Sequence, residues 1–180
     1  MRLKTERLSL RPWEPADADF VFDMYSRWEV QRFIGLVPRI MEERSEAVEL
    51  IERWRNLEHP VHRIWAVERL EDAALLGTIL LKSIPASGEP PLQPSGDTEI
   101  GWHFHPGYWG NGYASEAASA ALEYAFAHGL AKVVAVTNPQ NFASQAVCTR
   151  IGMEHRDRTE RYYNADCELF VAEKGAEKPR

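Results

Sequence analysis

The stretch Trp109-Gly110-Asn111-Gly112-Tyr113-Ala114-Ser115-Glu116 constrains this chain more than any other, because two glycines stand between a predicted strand and a predicted helix. Ahead of it, residues 98–105 alternate, with Ile100, Trp102 and Phe104 on one face and Glu99, Gly101 and His103 on the other. Pro106-Gly107 ends that strand. Behind it, residues 115–128 are rich in alanine, Ala118, Leu122 and Phe126 recur at helical spacing, and Gly129 supplies the stop. Gly110 and Gly112 let the backbone approach a ligand closely and adopt positive φ. At the helix start, free N–H groups and the positive end of the helix dipole converge on one point, which suits an anion such as a pyrophosphate. Ordinary strand-to-helix turns also use glycine, so the loop has a purely structural reading beside the ligand-binding one. A dinucleotide fingerprint would need glycine where Ser115 stands, and a P-loop would need Gly-Lys-Ser or Gly-Lys-Thr; neither is present.

Size and charge narrow the classes further. The 180 residues suit one domain, taken here as residues 1–173 with a charged tail at 174–180. A net charge of -6 argues against nucleic acid and anionic membranes as partners, and accords weakly with a cationic acceptor. Cys148 and Cys167 are the only cysteines, too few for a disulfide framework, so reduced thiols in a cytoplasm are expected. No run approaches the ~20 apolar residues of a membrane span, and Met1 to Arg7 shows no targeting pattern.

Along the chain, Leu8 to Trp13 alternates as a half-buried strand, with Pro12 placing it at an edge or near its end. Pro15, Asp17 and Asp19 open a helix carrying Phe20, Val21, Met24 and Tyr25; a second helix covers 41–56, and the two form a flap. Residues 64–68 and 77–82 read as a hairpin. The prolines at 85, 90, 91 and 94 make 85–97 an excursion loop, read as a mobile insertion. Residues 132–137 form a core strand, and a helix over 142–151 ends at Gly152, capped by Asn141 or Asn138. Residues 161–163 and 167–171 are the expected arms of a terminal hairpin, after which the tail frays.

Trp109-x-x-Gly112-x-Ala114 resembles the coenzyme-A-binding loop of GNAT N-acetyltransferases, and the wider run from 109 to 117 is similar to the RimJ/RimL branch, which acetylates protein N-termini. Residues 5–11, Asn141-x-x-Ser144 and Ile151-Gly152-Met153 extend the resemblance over nearly the whole chain in the family's order. It implies an α+β (mixed α/β) GNAT fold, a central twisted mixed sheet of six or seven strands with about four helices. It also implies acetyl-CoA as co-substrate, with no metal. By the same resemblance the strand before the loop splays from its neighbour, so that the pantetheine arm pairs along Trp102, His103, Phe104 and His105. Trp109, Gly110, Asn111, Gly112, Tyr113 and Ala114 would hold the pyrophosphate, and Asn141 and Ser144 the pantetheine or thioester end. Without the resemblance, Asn141 reads more often as a plain helix cap.

Glu99 is the candidate base, since an amine must lose its proton before attacking a thioester; an exposed strand carboxylate or ion-pair partner is the competing reading. The family often supplies a tyrosine as acid in the later helix, but Val147-Cys148-Thr149-Arg150 stands there; the resemblance to the RimJ/RimL branch implies Ser144 as donor to the thiolate, with Tyr162 or Tyr163 from the terminal hairpin as alternatives. Cys148 reads as core. His103 and His105, with His59 and His62, read as solvated or stacking side chains and not as metal ligands. Trp28, Phe33, Trp54 and Trp65 are core or line the acceptor cleft. The acceptor is a protein N-terminus, polyamine, amino acid or aminoglycoside, and the chain a monomer or homodimer. A non-catalytic acyl-CoA-binding module or sensor stays open as the alternative, as does a binder of another phosphate ligand.

Overall fold

The structure, a computed structural model, describes residues 1–175. Eight strands form one sheet: β1 (Leu3–Lys4), β2 (Leu8–Pro12), β3 (Arg63–Arg69), β4 (Leu75–Pro85), β5 (Pro94–Phe104), β6 (Lys132–Thr137), β7 (Glu154–Thr159) and β8 (Cys167–Glu173), in the order β1-β2-β3-β4-β5-β6-β8-β7. Five helices flank it: α1 (Ala18–Tyr25), α2 (Trp28–Gln31), α3 (Arg44–Arg55), α4 (Tyr113–Ala127) and α5 (Phe142–Arg150). Every neighbouring pair is antiparallel except β5 and β6, which run parallel because α4 carries the chain between them. The expected central mixed sheet flanked by helices is therefore present, with one strand and one helix more than the resemblance implied.

Each face of the sheet buries a different set of residues. Under α4 and α5 lie Leu8, Leu10, Trp65, Ile79, Leu81, Ile100, Val133 and Phe170. Ala117, Ala118, Ala121 and Ala125 are fully buried on the sheet-facing side of α4, and so small a surface lets the helix axis approach closely. Trp65 meets the Tyr124 ring edge-on at 5.2 Å. On the opposite face Trp13, Val21, Met24, Tyr25, Ala47 and Ile51 of the α1–α3 flap pack over Ala66. Each large apolar side chain so buried contributes about 1.5–3 kcal/mol.

Four expectations need correction. β2 is not half-buried or at the edge but interior, with Leu8, Ser9, Leu10 and Arg11 all buried; Pro12 is its last residue, as the other reading of that proline had it. Arg11 tolerates this because Asp17, on a 3-10 turn at Pro15–Asp17, takes its guanidinium with two hydrogen bonds of 2.8 and 2.9 Å, and Glu68 takes Nε at 2.8 Å. Residues 85–97 are not an excursion: β4 runs to Pro85 and β5 starts at Pro94, its register partner. Prolines at the two ends of this ladder leave its interior donors intact, so only 86–93 lie outside it. The last strand pairs with β7 and not with residues 161–163, which form part of the connection. β7 escaped notice because Glu154-His155-Arg156-Asp157-Arg158-Thr159 carries no apolar alternation, as a charged edge strand need not. The final helix and the flap helix are also shorter than read, and the four-residue α2 lies between α1 and α3. Lys174 N–H still donates to Ala131 O at 2.9 Å, and the rest of the expected tail, from residue 176, lies outside the described residues.

Candidate active site

β5 and β6 share one register pair, Glu99 with Val134. Beyond it Ile100 to Phe104 stay paired to β4, and Ala135 to Thr137 to β8, but not to each other. The facing edges therefore carry backbone N–H and C=O groups with no ladder partner, and such groups call for another partner. Because the two strands are parallel, both run out at the same end of this slot, and the chain then enters α4 after one and α5 after the other. A crevice at the carboxyl ends of parallel strands, beside helix N-termini, is the usual ligand position in such sheets.

At that end Gly110 and Gly112 both hold φ +78, the left-handed region. Gly112 caps α4 without a side chain, and the first intrahelical bond runs from Glu116 N–H to Gly112 O at 3.0 Å. The N–H groups of Tyr113, Ala114 and Ser115 precede it and have no intrahelical acceptor. A Cβ on Gly110 would stand in open space, so the loop keeps a free outer surface. Its shape is set from within: Trp109 Nε1 donates to Phe104 O at 2.8 Å, and Asn111 Nδ2 donates to Tyr108 O and Trp109 O at 3.1 and 3.0 Å. From outside, Arg7 lies over the Tyr113 ring and donates to Asn111 O at 3.0 Å, while its Nε and Nη2 both reach Glu116 Oε2 at 2.7 Å.

At the closed end of the slot Glu99 is 9% exposed. Its Oε2 accepts from the Tyr163 hydroxyl and lies 3.0 Å from Lys82 Nζ, which also donates to the Tyr163 oxygen at 2.6 Å. Burial and the Glu99 charge both push the Tyr163 hydroxyl pKa far up, so it stays protonated. Tyr163 (φ +59) and Asn164 (φ +54) are both left-handed, a backbone that asparagine accepts but that strains the bulky tyrosine. The tip of the β4–β5 hairpin holds them there: Ala86 bridges Tyr162, Asn164 Oδ1 accepts from Gly88 N at 2.8 Å, and Ser87 Oγ accepts from Asn164 N at 2.9 Å. Tyr162 instead donates to Asp97 Oδ2 at 2.7 Å, and Asp97 pairs with Lys132 at 2.6 Å.

The sequence profile of the acetyltransferase (GNAT) domain family matches residues 7–154. An uncharacterized N-acetyltransferase, YoaA of Bacillus subtilis (strain 168), is 33% identical over 154 residues, covering 84% of this chain and 82% of its own. The GNAT-family acetyltransferase from Bacillus anthracis superposes with a TM-score of 0.75 at 25% identity, covering 95% of this chain and 96% of that one. The RimL ribosomal-protein α-N-acetyltransferase in complex with coenzyme A superposes at 0.77 over 96% of this chain and 98% of that one, and at 15% identity the likeness concerns the fold. The chain belongs to the GNAT family. It is an N-acetyltransferase, and acetyl-CoA is the family's acyl donor.

Within this acetyltransferase the remaining named residues divide by strand face. Trp102 and Phe104 turn into the core beneath α4, leaving only their backbone to the slot. His103 and His105 face α1 instead: His103 Nδ1 shares a hydrogen bond of 2.7 Å with the Tyr25 hydroxyl. His105 Nδ1 accepts from Gly107 N at 3.1 Å, which puts its proton on Nε2, 3.0 Å from Asp23 Oδ2. Asn141 caps α5, its Oδ1 accepting from Ser144 N at 3.2 Å. No side-chain bond engages Asn141 Nδ2 or Ser144 Oγ among the described residues. His59 and His62 stack at 3.5 Å, and no cluster of three metal-ligating side chains occurs among the described residues. Cys148 is fully buried and its thiol is pushed up to about 12, which fits core and not a nucleophile. Trp65 is core and Trp54 stacks on Trp13 at 5.2 Å, whereas Trp28 is 56% exposed.

Sequence reasoning missed Lys82. It stands as a lysine closing the apolar run Gly77-Thr78-Ile79-Leu80-Leu81, and only the structure places it directly across the ladder from Glu99.

Proposed function

We propose that this acetyltransferase moves the acetyl group of acetyl-CoA onto a primary amine by direct attack in a ternary complex, with Glu99 as base. The observation that carries the reading is the position of Glu99 at the single pair where β5 and β6 meet. The donor site fits on three counts: the open edges of the slot, the left-handed glycines that keep side chains off the loop, and the free amides of Tyr113 to Ser115. Bound there, the thioester supplies an acyl carbon activated toward amines.

This chain's residues handle the protons. An α-amine with pKa ~8, or a lysine with ~10.4, is mostly protonated at neutral pH. Glu99 Oε1, which has no partner among the described residues, accepts that proton directly or across one water. The Ser144 hydroxyl, at the start of α5, donates to the departing thiolate. Tyr163 is the poorer acid, because its proton already lies on Glu99 and its pKa is raised.

The acceptor we favour is a protein N-terminus, as in the RimJ/RimL branch that residues 109–117 resemble, with a cytoplasmic setting. Charge gives little support to polycations: Asp97 is already taken by Lys132 and Tyr162, and Glu43 caps α3. The test is thiol release from acetyl-CoA with N-terminal peptides, polyamines, amino acids and aminoglycosides, run on the parent and on Glu99→Gln. The variant should bind acetyl-CoA normally and lose at least about a hundredfold in kcat. Full turnover across pH would remove Glu99 from the mechanism.

A further inference from the structure

We propose that Lys82 is a positioning residue that selects which oxygen of Glu99 acts as the base, a role that rests on the reading of Glu99 above. Lys82 and Glu99 are register partners on neighbouring antiparallel strands, so their side chains leave the same face of the sheet. An ammonium donates and never accepts, so its 2.6 Å contact makes the Tyr163 oxygen an acceptor. The one proton of Tyr163 is then directed to Glu99 Oε2, the same atom that Lys82 approaches at 3.0 Å. Three groups close a triangle whose donors all converge on Oε2, and Oε1 is left as the unengaged lone-pair site.

The charge matters as well as the direction. Lys82 sets a positive charge 3.0 Å from Glu99 Oε2, on the oxygen that Tyr163 also engages. It is the nearby cation free to do this. Lys132, on β6, is bound to Asp97. His62, at the start of β3, is pushed down to about 4 by burial and by the charges of His59, Lys82 and Arg63. His103, on β5, is held to about 4 by burial and Lys82, and the hydroxyl of Tyr25, its partner on α1, is raised by burial. On β8 the Cys167 thiol is raised to about 11 by burial and by Asp166, Glu99 and Glu168. At neutral pH His62, His103, Tyr25 and Cys167 are therefore uncharged.

The experiment compares Lys82→Met, Lys82→Gln and Lys82→Arg with the parent and with Glu99→Gln, reading the acid limb of kcat/KM for the amine and the Kd for acetyl-CoA. Loss of the cation should move the acid limb up by about one unit or more in both neutral variants, with the loss recovered at alkaline pH. The Kd for acetyl-CoA should stay within about twofold, and Lys82→Arg should bring the limb back. Two neutral side chains of different polarity keep the test alive should either fail to fold. An acid limb that stays in place in a folded neutral variant, while Glu99→Gln abolishes it, overturns the role of Lys82 alone. Retention of the limb in Glu99→Gln overturns the base assignment itself, and the role of Lys82 with it.

Discussion

Gly77 lies so close to His103 that a Cβ built on it would stand 2.3 Å from the His103 carbonyl oxygen and 2.8 Å from the Phe104 Cα. β4 thus presses on β5 from the side opposite the slot, with no room for even a methyl group. The neighbour is backbone, which cannot rotate away as a side-chain tip can. Gly77→Ala should therefore cost more than the ~1–3 kcal/mol of ordinary overpacking and displace the segment of β5 that lines the slot. Thermal unfolding and calorimetric titration with acetyl-CoA would read this as a lower Tm together with weaker binding; an unchanged pair of values would contradict it.

Arg7 braces the glycine loop from outside the slot, and Thr5 Oγ1 donates to the other oxygen of the same Glu116 carboxylate. Removing the Arg7 fork frees Asn111 O and leaves the Glu116 carboxylate uncompensated beside the amides that would hold an anion. The pair is partly exposed, 44% and 18%, so its screened strength is at most ~1 kcal/mol. Arg7→Ala should raise the Kd for acetyl-CoA up to roughly fivefold with little change in Tm. Arg7→Lys should fall between, because it keeps the charge but not the fork. A Kd unmoved in Arg7→Ala would show that the brace is dispensable.

Acid should destabilise this protein through His62 and His103. Both imidazoles are pushed down from 6.5 to about 4, mainly by burial. The unfolded chain then binds their protons at higher pH than the folded one does, so their stability contribution is complete above about pH 6.5 and is lost as pH falls toward 4. Tm measured across that window should drop steeply in the parent and less steeply in His62→Gln or His103→Gln. Equal slopes in all three would refute the assignment.

The legible parts of the fold were those where one periodicity governed. β6 was read residue for residue because Val133, Val134 and Ala135 are buried from both sides, and α4 because alanines repeat along it. Proline density misled at 85–97, since an unfilled donor costs nothing at the two ends of a ladder. β7 was illegible because an exposed edge imposes no apolar pattern. In the candidate site, the left-handed glycines of the loop and the place of Glu99 on β5 were legible through order along the chain. Lys82 and the Tyr163 contact were not, because a cross-strand register and a turn-to-strand contact have no local signature.

The strained turn at Tyr163 and Asn164 reaches beyond its own hydrogen bonds. Asparagine accepts a left-handed backbone readily, but tyrosine does not, so the phenol stays over Glu99 only while Ser87 and Gly88 hold the turn in place. The outlying hairpin tip thus exerts leverage on the hydrogen bonding of a carboxylate it never touches. Natural drift or deliberate engineering at residues 86–93 has a route to change how the Tyr163 hydroxyl meets Glu99 while both residues stay the same.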